Sequence, residues 1–234
     1  LGKSTATVGT ATHTRSPIVT DPRIHGSSLG QLLASGSYWF PARMDLDTIL
    51  SKIDSRDIRD MIIIKGPYSA LYGPGFDFID VQLLESPRFQ DGFEGHGSTS
   101  VDYKTNGQQW YGRQSVWAGD SDWGIRVGYG HRTGNDYHDG DGDGFPTSYK
   151  SRDLNVALGM DLSANEHIEF NYLRLDQTDV ELPGQVVDLN FLVTDSYEVK
   201  YLVDHQCYFD TFTAEAWYNR TRFAGNAQGA GKKQ

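Results

Sequence analysis

Ile62-Ile63-Ile64-Lys65-Gly66-Pro67-Tyr68-Ser69-Ala70-Leu71-Tyr72-Gly73-Pro74-Gly75 is the most informative run in this chain. The three β-branched residues at its head predict a short buried strand. Gly66-Pro67 breaks the ladder and turns the chain. A turn over residues 68–71 leads into Gly73-Pro74-Gly75, where the backbone bends again with no Cβ in the way. Residues 76–84 then read as a second strand. The pattern alone predicts a tight double bend between two strands.

The residues themselves say more. Gly66, Pro67, Ser69, Leu71, Tyr72, Gly73 and Gly75, approached through residues 59–65, closely resemble the plug-domain motif of TonB-dependent outer-membrane receptors. Upstream, Asp21-Pro22-Arg23-Ile24-His25-Gly26 resembles that family's Arg-Ile-Arg-Gly strand, with Arg23 and Gly26 in place and His25 at the second Arg. Residues 40–45 and 53–58 resemble the segments leading into the final plug strands. The match covers roughly residues 10–90. Phe40-Pro41-Ala42-Arg43-Met44-Asp45 is also similar to a copper-receptor branch of the family, although the residues after it depart from that pattern.

Composition agrees with an all-β chain. Hydrophobic residues make up 38% and aromatics 12%, with 26 glycines, a mixture that suits strands and turns better than helices. A net charge of −10 offers nothing to neutralise a phosphate backbone, which argues against nucleic acid. No apolar run is long enough for a membrane-crossing helix, and a membrane barrel gives a much weaker signal. Cys207 is the sole cysteine, so no disulfide framework exists, and it reads as a packed residue rather than a nucleophile. Gly26-Ser27-Ser28-Leu29-Gly30 matches a nucleophile elbow by its letters. It lacks the strand before, the helix after and the downstream base and acid, so Ser28 receives no catalytic role and no enzymatic activity is expected.

The chain opens on Leu1-Gly2-Lys3-Ser4 with no signal-peptide pattern, and it tails off over residues 225–234, so it reads as a fragment. Residues 1–20 read as a flexible lead-in, and 29–33 and 47–55 as short helical or loop segments. From residue 94 onward, segments of about ten residues alternate with turns. The expected strands are 94–104, 108–119, 123–133, 151–162, 167–177, 193–203 and 207–220, with long connections over 134–150 and 178–192. Leu154, Val156, Leu158, Met160 and Leu162 share one face, opposite Asn155, Ala157, Gly159 and Asp161. Trp123, Ile125, Val127 and Tyr129 oppose Gly124, Arg126, Gly128 and Gly130. Seven strands of about 18 residues each are too few for a plugged barrel, which takes about 22 strands and roughly 400 residues.

The fold expected is therefore all-β dominated: a small mixed α+β plug over 1–93, then the first seven or so antiparallel strands of an incomplete transmembrane barrel over 94–234. The resemblance implies energised uptake across the bacterial outer membrane of a scarce ligand, such as a siderophore-bound metal (iron, copper or cobalamin). It implies outer-membrane lipid, a small metal chelate and a TonB-type energy-transducing complex as partners, although no segment that such a complex would grasp is legible before residue 20. The same alternation also fits a soluble or surface β-sandwich, and a Ca²⁺- and carbohydrate-binding module is the rival reading. No cofactor is required. Asp139, Asp141 and Asp143, spaced D-x-D-x-D-G, are candidate Ca²⁺ ligands, but the twelfth position of that pattern is Lys150 rather than Glu.

Overall fold

The structure, a computed structural model, describes residues 10–24, 27–28, 31–35, 37–39, 49–67, 70, 77–184 and 187–227. Its largest element is a wall of seven antiparallel strands: β8 (Glu94–Lys104), β9 (Gln109–Gly119), β10 (Trp123–Gly134), β13 (Tyr149–Ser163), β14 (Glu166–Val180), β15 (Val187–Gln206) and β16 (Phe209–Ala227). Their order is β16-β15-β14-β13-β10-β9-β8, an open sheet of up-and-down neighbours. In the loop between β10 and β13, β11 (Tyr137–His138) pairs with β12 (Gly144–Phe145).

All seven expected strands are present, but the later ones run longer than the sequence suggested. The expected long connection over 178–192 is mostly strand, because β14 and β15 stay paired up to Val180 and Leu189. Apolar alternation belongs to the side chains and pairing to the backbone. Residues such as Thr178 and Asp188 break the apolar pattern without breaking the ladder.

The wall has two unlike faces. Along β13, Ser151, Asp153, Asn155 and Ala157 are buried, whereas Leu158 and Met160 are about half exposed on the other side. Tyr172, Tyr197 and Tyr218 lie directly opposite one another across β14, β15 and β16, with ring centroids 4.8 Å and 6.3 Å apart. A soluble sandwich would bury the apolar face. Here the polar one is covered.

Its cover is the part of the chain before Glu94. There β1 (Thr10–Ser16), β2 (Val19–Ile24) and β3 (Ser27–Ser28) form one sheet. A second is built from β4 (Gln31–Ala34), β5 (Ser37–Trp39), β6 (Ile58–Lys65) and β7 (Asp77–Leu83), ordered β5-β4-β7-β6. Helix α1 (Ile49–Lys52) lies between β5 and β6 in the sequence. Residues 10–16 and 19–24 are thus a hairpin: up to residue 20 a flexible lead-in was expected, whereas 21–24 is strand as the resemblance implied, and Gln31–Ala34 is a strand rather than helix or loop. β6 sits at a sheet edge; Ile64 is buried, Ile63 partly buried and Ile62 47% exposed, so the expected buried strand is buried only in part. Cys207 is exposed in the β15–β16 turn, contrary to the packed position expected.

Two apolar clusters fasten this unit to the wall. Ala34, Ile53, Ile79 and Val81 pack on Leu173 and Leu175 of β14. Ile18 and Val19 pack with Tyr149, Val180, Leu182, Leu189 and Leu192 at the loop end. The connecting segment 84–89 lies flat on the wall. Ser86 N and Oγ donate to the buried Glu169 at 2.6 and 2.7 Å, and Arg88 reaches Asp161 at 3.2 Å. Gly124 makes that approach feasible, since a Cβ there would overlap the carbonyl oxygen of Pro87. Gly124→Val should therefore push the connector off the wall and destabilise the protein by about 1–3 kcal/mol, as overpacking does. Thermal unfolding of the complete protein, set against Ile125→Val on the opposite face as a near-neutral control, checks this.

Candidate functional site

A polar part of the seam between the two units is built from a single turn and three wall strands. Asp54 caps the 3-10 turn Ser55–Asp57, accepting from Arg56 N at 2.8 Å. Its two carboxylate oxygens also take Arg56 Nε and Nη2, each at 2.9 Å, and Tyr111 Oη donates to it from β9. A turn held this way directs the next carboxylate, Asp57, into the wall. There Arg113 Nη2 on β9 donates to Asp57 Oδ2 at 2.5 Å and to Asn155 Oδ1 at 2.8 Å, while Nη1 donates to Asp153. The Arg113, Asp57 and Asp153 side chains are 1%, 7% and 4% exposed. Arg132 on β10 closes the other flank, donating to the carbonyls of Ser51 and Lys52 at 3.0 and 3.2 Å and lying 4.5 Å over the Tyr111 ring.

This cluster explains the glycines of β10. A Cβ at Gly128 would collide with Arg113 and Asn155, and one at Gly130 with the Asp153 carboxylate. The small face read from the sequence is small because it makes room for ions from its neighbours. Above the cluster opens a cleft of about 680 Å³, lined on one side by Pro17, Ser51, Ile53 and Arg56 and on the other by Tyr103, Trp110, Tyr111 and Tyr149.

Burial perturbs the titrating groups on the inner unit. It pushes the Asp57 carboxyl up to about 6; Arg113 opposes this, while Asp153 and Asp54 reinforce it. At Asp54 burial acts upward too, but the hydrogen bonds from Arg56 and Tyr111 win and hold it well below the usual carboxylate range. Lys52 is 3% exposed, and burial lowers it to about 7.

Of the motif residues, Gly66 and Pro67 follow β6, and Gly66 has φ +65°, the left-handed region that glycine adopts without penalty. Arg23 lies in β2, its backbone paired with Ala11 and Ser28. Ser69, Leu71, Tyr72, Gly73, Gly75 and Gly26 lie outside the described residues, as does the copper-branch resemblance at 40–45. The acidic loop does not gather its carboxylates. Asp139 Oδ1 accepts from Asp141 N at 3.0 Å and Asp143 N at 2.9 Å, closing a backbone turn. Among the described residues no group of three or more His, Cys, Asp and Glu side chains is placed to hold a metal ion. The Asp57–Arg113–Asp153 cluster is not legible in the sequence, since its members are 56 and 40 positions apart and no local pattern marks them.

No protein-family model and no curated protein matches the sequence. Solved structures do. The copper transporter OprC superposes with a TM-score of 0.82 over 92% of this chain and 34% of its own, at 21% identity. The fold is that of TonB-dependent receptors. The siderophore receptor PirA from Acinetobacter baumannii gives 0.67 over 91% of this chain and 36% of its own, at 14% identity. The ferric enterobactin receptor PfeA from Pseudomonas aeruginosa gives 0.66 over 92% and 37%, at 13% identity. The chain thus spans about a third of the length of the structures it resembles. In that architecture the unit before Glu94 is the plug, and the seven strands are a part of the barrel wall.

Removing the cation from the cluster should cost far more than removing the one beside it. Arg113→Gln strands two buried carboxylates and should destabilise the complete protein by about 3–5 kcal/mol. Arg56→Gln, on a side chain 42% exposed whose partner Asp54 is buried, should cost less, about 1–2 kcal/mol, because the Tyr111 and backbone bonds to Asp54 remain. Denaturant unfolding of both variants checks the contrast. Lys52 supplies a pH test. Its pKa is lower folded than unfolded, so stability falls as pH drops from about 10.5 to 7 and levels off below. Lys52→Met should abolish that slope, as read from melting temperatures between pH 7 and 10.

Proposed function

We propose that this chain is the plug and leading wall of an importer that brings a scarce metal, as an ion or chelate, across the bacterial outer membrane at the expense of inner-membrane energy. The observation that carries this reading is the buried ionic docking of Asp57 onto Arg113 and Asp153, which seats the plug on the inner face of the strands that follow it. A plug so seated stands in the path of anything crossing the lumen. The likeness to a copper transporter and to siderophore receptors supports a metal or its chelate as cargo. The apolar outer face and its row of tyrosines suit lipid. An energy-transducing complex of the TonB type is the partner this reading requires, gripping a segment near the N-terminus by strand addition.

The physical argument is energetic. Breaking a buried ion pair costs about 3–5 kcal/mol, and cargo that binds both plug positions equally cannot shift the plug. Cargo should therefore bind at the outer side without energy, while its release inward should need work.

Cells carrying the complete gene, given labelled copper or a labelled ferric siderophore with and without a proton uncoupler, test this. Surface binding should persist in both conditions and accumulation should collapse with the uncoupler. Accumulation that ignores the uncoupler would mean a passive pore; accumulation of neither label would refute the cargo class.

A further inference from the structure

The seam between plug and wall carries a charge imbalance. Asp57 and Asp153 both reach the single guanidinium of Arg113, and all three side chains are more than nine-tenths buried. Fully ionised, the cluster has two negative charges against one positive. The charged groups around it are engaged elsewhere. Asp54 is held by Arg56 and Tyr111. Arg132 is turned to the Ser51 and Lys52 carbonyls and the Tyr111 ring, and reaches Asp153 only through space, where it offsets part of the surplus charge. Arg126 on β10 donates to the Glu85 carbonyl at 3.3 Å and stacks 5.1 Å over Trp117, acting on Asp57 only through space. Asn155 accepts from Arg113 and brings no charge.

A surplus buried charge is relieved by taking up a proton. One proton on the carboxyl pair leaves Arg113 matched by one carboxylate, and the whole cluster neutral. We propose that seating the plug on the wall takes up a proton at the Asp57–Asp153 pair, so that the plug is held more tightly in mildly acidic medium than at neutral pH. The inference rests on the seam contacts alone and holds whatever the protein carries.

The direction follows from linkage. Seated, Asp57 titrates at about 6; released into water, a carboxyl titrates near its ordinary value of about 4. The seated form therefore binds the proton first as pH falls from 6 to 4, and seating strengthens across that window. A plain salt bridge behaves oppositely, weakening as its carboxylate is protonated. Lys52 titrates at about 7 and, being lowered on burial, acts in the opposite sense, so every protein in the test, the wild-type reference included, carries Lys52→Met. His167, which joins Asp161 at 2.6 Å beside the connector, stands at a separate contact.

The test is hydrogen exchange of the β6 amides, which follow Asp57 directly, in the complete protein in detergent. Rates are expressed as protection factors, which removes the pH dependence of the chemistry. Wild type should gain about tenfold in protection between pH 7.5 and pH 5. Asp57→Asn, which keeps an acceptor and removes the charge, should reach at pH 7.5 the protection that wild type shows at pH 5, and should lose the tenfold rise. Asp153→Asn leaves Asp57 paired one to one with Arg113, and should also flatten the rise. The proposal is overturned if wild-type protection is unchanged or falls on acidification. It is equally overturned if Asp57→Asn is less protected than wild type at pH 7.5, as a simple ionic latch requires. Should Asp57→Asn fail to fold, the wild-type pH series decides alone.

Discussion

One guanidinium, that of Arg113, sets the terms for both parts of this molecule. A cation 1% exposed is tolerable only if carboxylates and hydrogen-bond acceptors surround it, since moving an unpaired ion out of water costs several kcal/mol. The wall provides Asp153 and Asn155 from β13, and the remaining direction faces the plug. The plug must therefore present an acid there, and it does so with Asp57, at the end of a turn whose shape is fixed by Asp54 and Arg56. The neighbouring strand must also offer no side chain, hence Gly128 and Gly130. Plug turn, wall strand and glycine spacing are three consequences of one buried charge.

Apolar contact and ionic contact divide the seam by position. Toward β14 the plug meets Leu173 and Leu175, and the contact is ordinary hydrophobic burial. Toward β9, β10 and β13 it meets Arg113, Arg132 and Asp153, where geometry is far more demanding. Hydrophobic burial is non-directional and tolerates sliding. A buried charge cluster does not, because each ångström of displacement leaves a charge without its partner. The ionic side thus fixes where the plug sits, and the apolar side supplies adhesion around it.

Much of the wall was legible in the sequence because a sheet with one apolar face leaves a simple rule: alternate residues are apolar. Leu154, Val156, Leu158 and Met160 obey it, and the strand carrying them was placed to within two residues. Where the rule lapses, so does legibility. The ends of β14 and β15 carry Thr178, Asp179, Asp188 and Asn190, read as a loop though they belong to the strands. The β4 strand was missed for a related reason, since a four-residue segment is too short to show any period. The docking cluster left no local trace at all. Asp57 and Arg113 are unremarkable in their own neighbourhoods and become a site only when a plug is laid on a wall. The acidic loop was the reverse case: three carboxylates at regular spacing drew attention to themselves, and the structure uses one of them to close a turn.

The connector shows why the two attachments have different characters. Residues 84–89 hold on through backbone and side chains together: at the start Leu84 N donates to Asp57 O of the plug turn at 2.7 Å, and along the wall the Glu85 carbonyl accepts from Arg126, Ser86 donates to Glu169 and Phe89 N donates to Asp120 O at 2.9 Å. Backbone groups do not titrate, and the glycine beneath them, Gly124, leaves no gap into which they could shift. Asp57, by contrast, holds through a carboxyl whose charge depends on its surroundings. The first bond, from Leu84 N to Asp57 O, links the two directly. Any change in the position of the Asp57 turn is therefore passed to the start of the connector, while its far end stays pinned at Phe89. The segment between is four residues long, Glu85 to Arg88, and it is backed by wall strands. It can accommodate a local change at Asp57 without coming away from the barrel, which makes the ionic contact the part of the seam where plug and wall can part first.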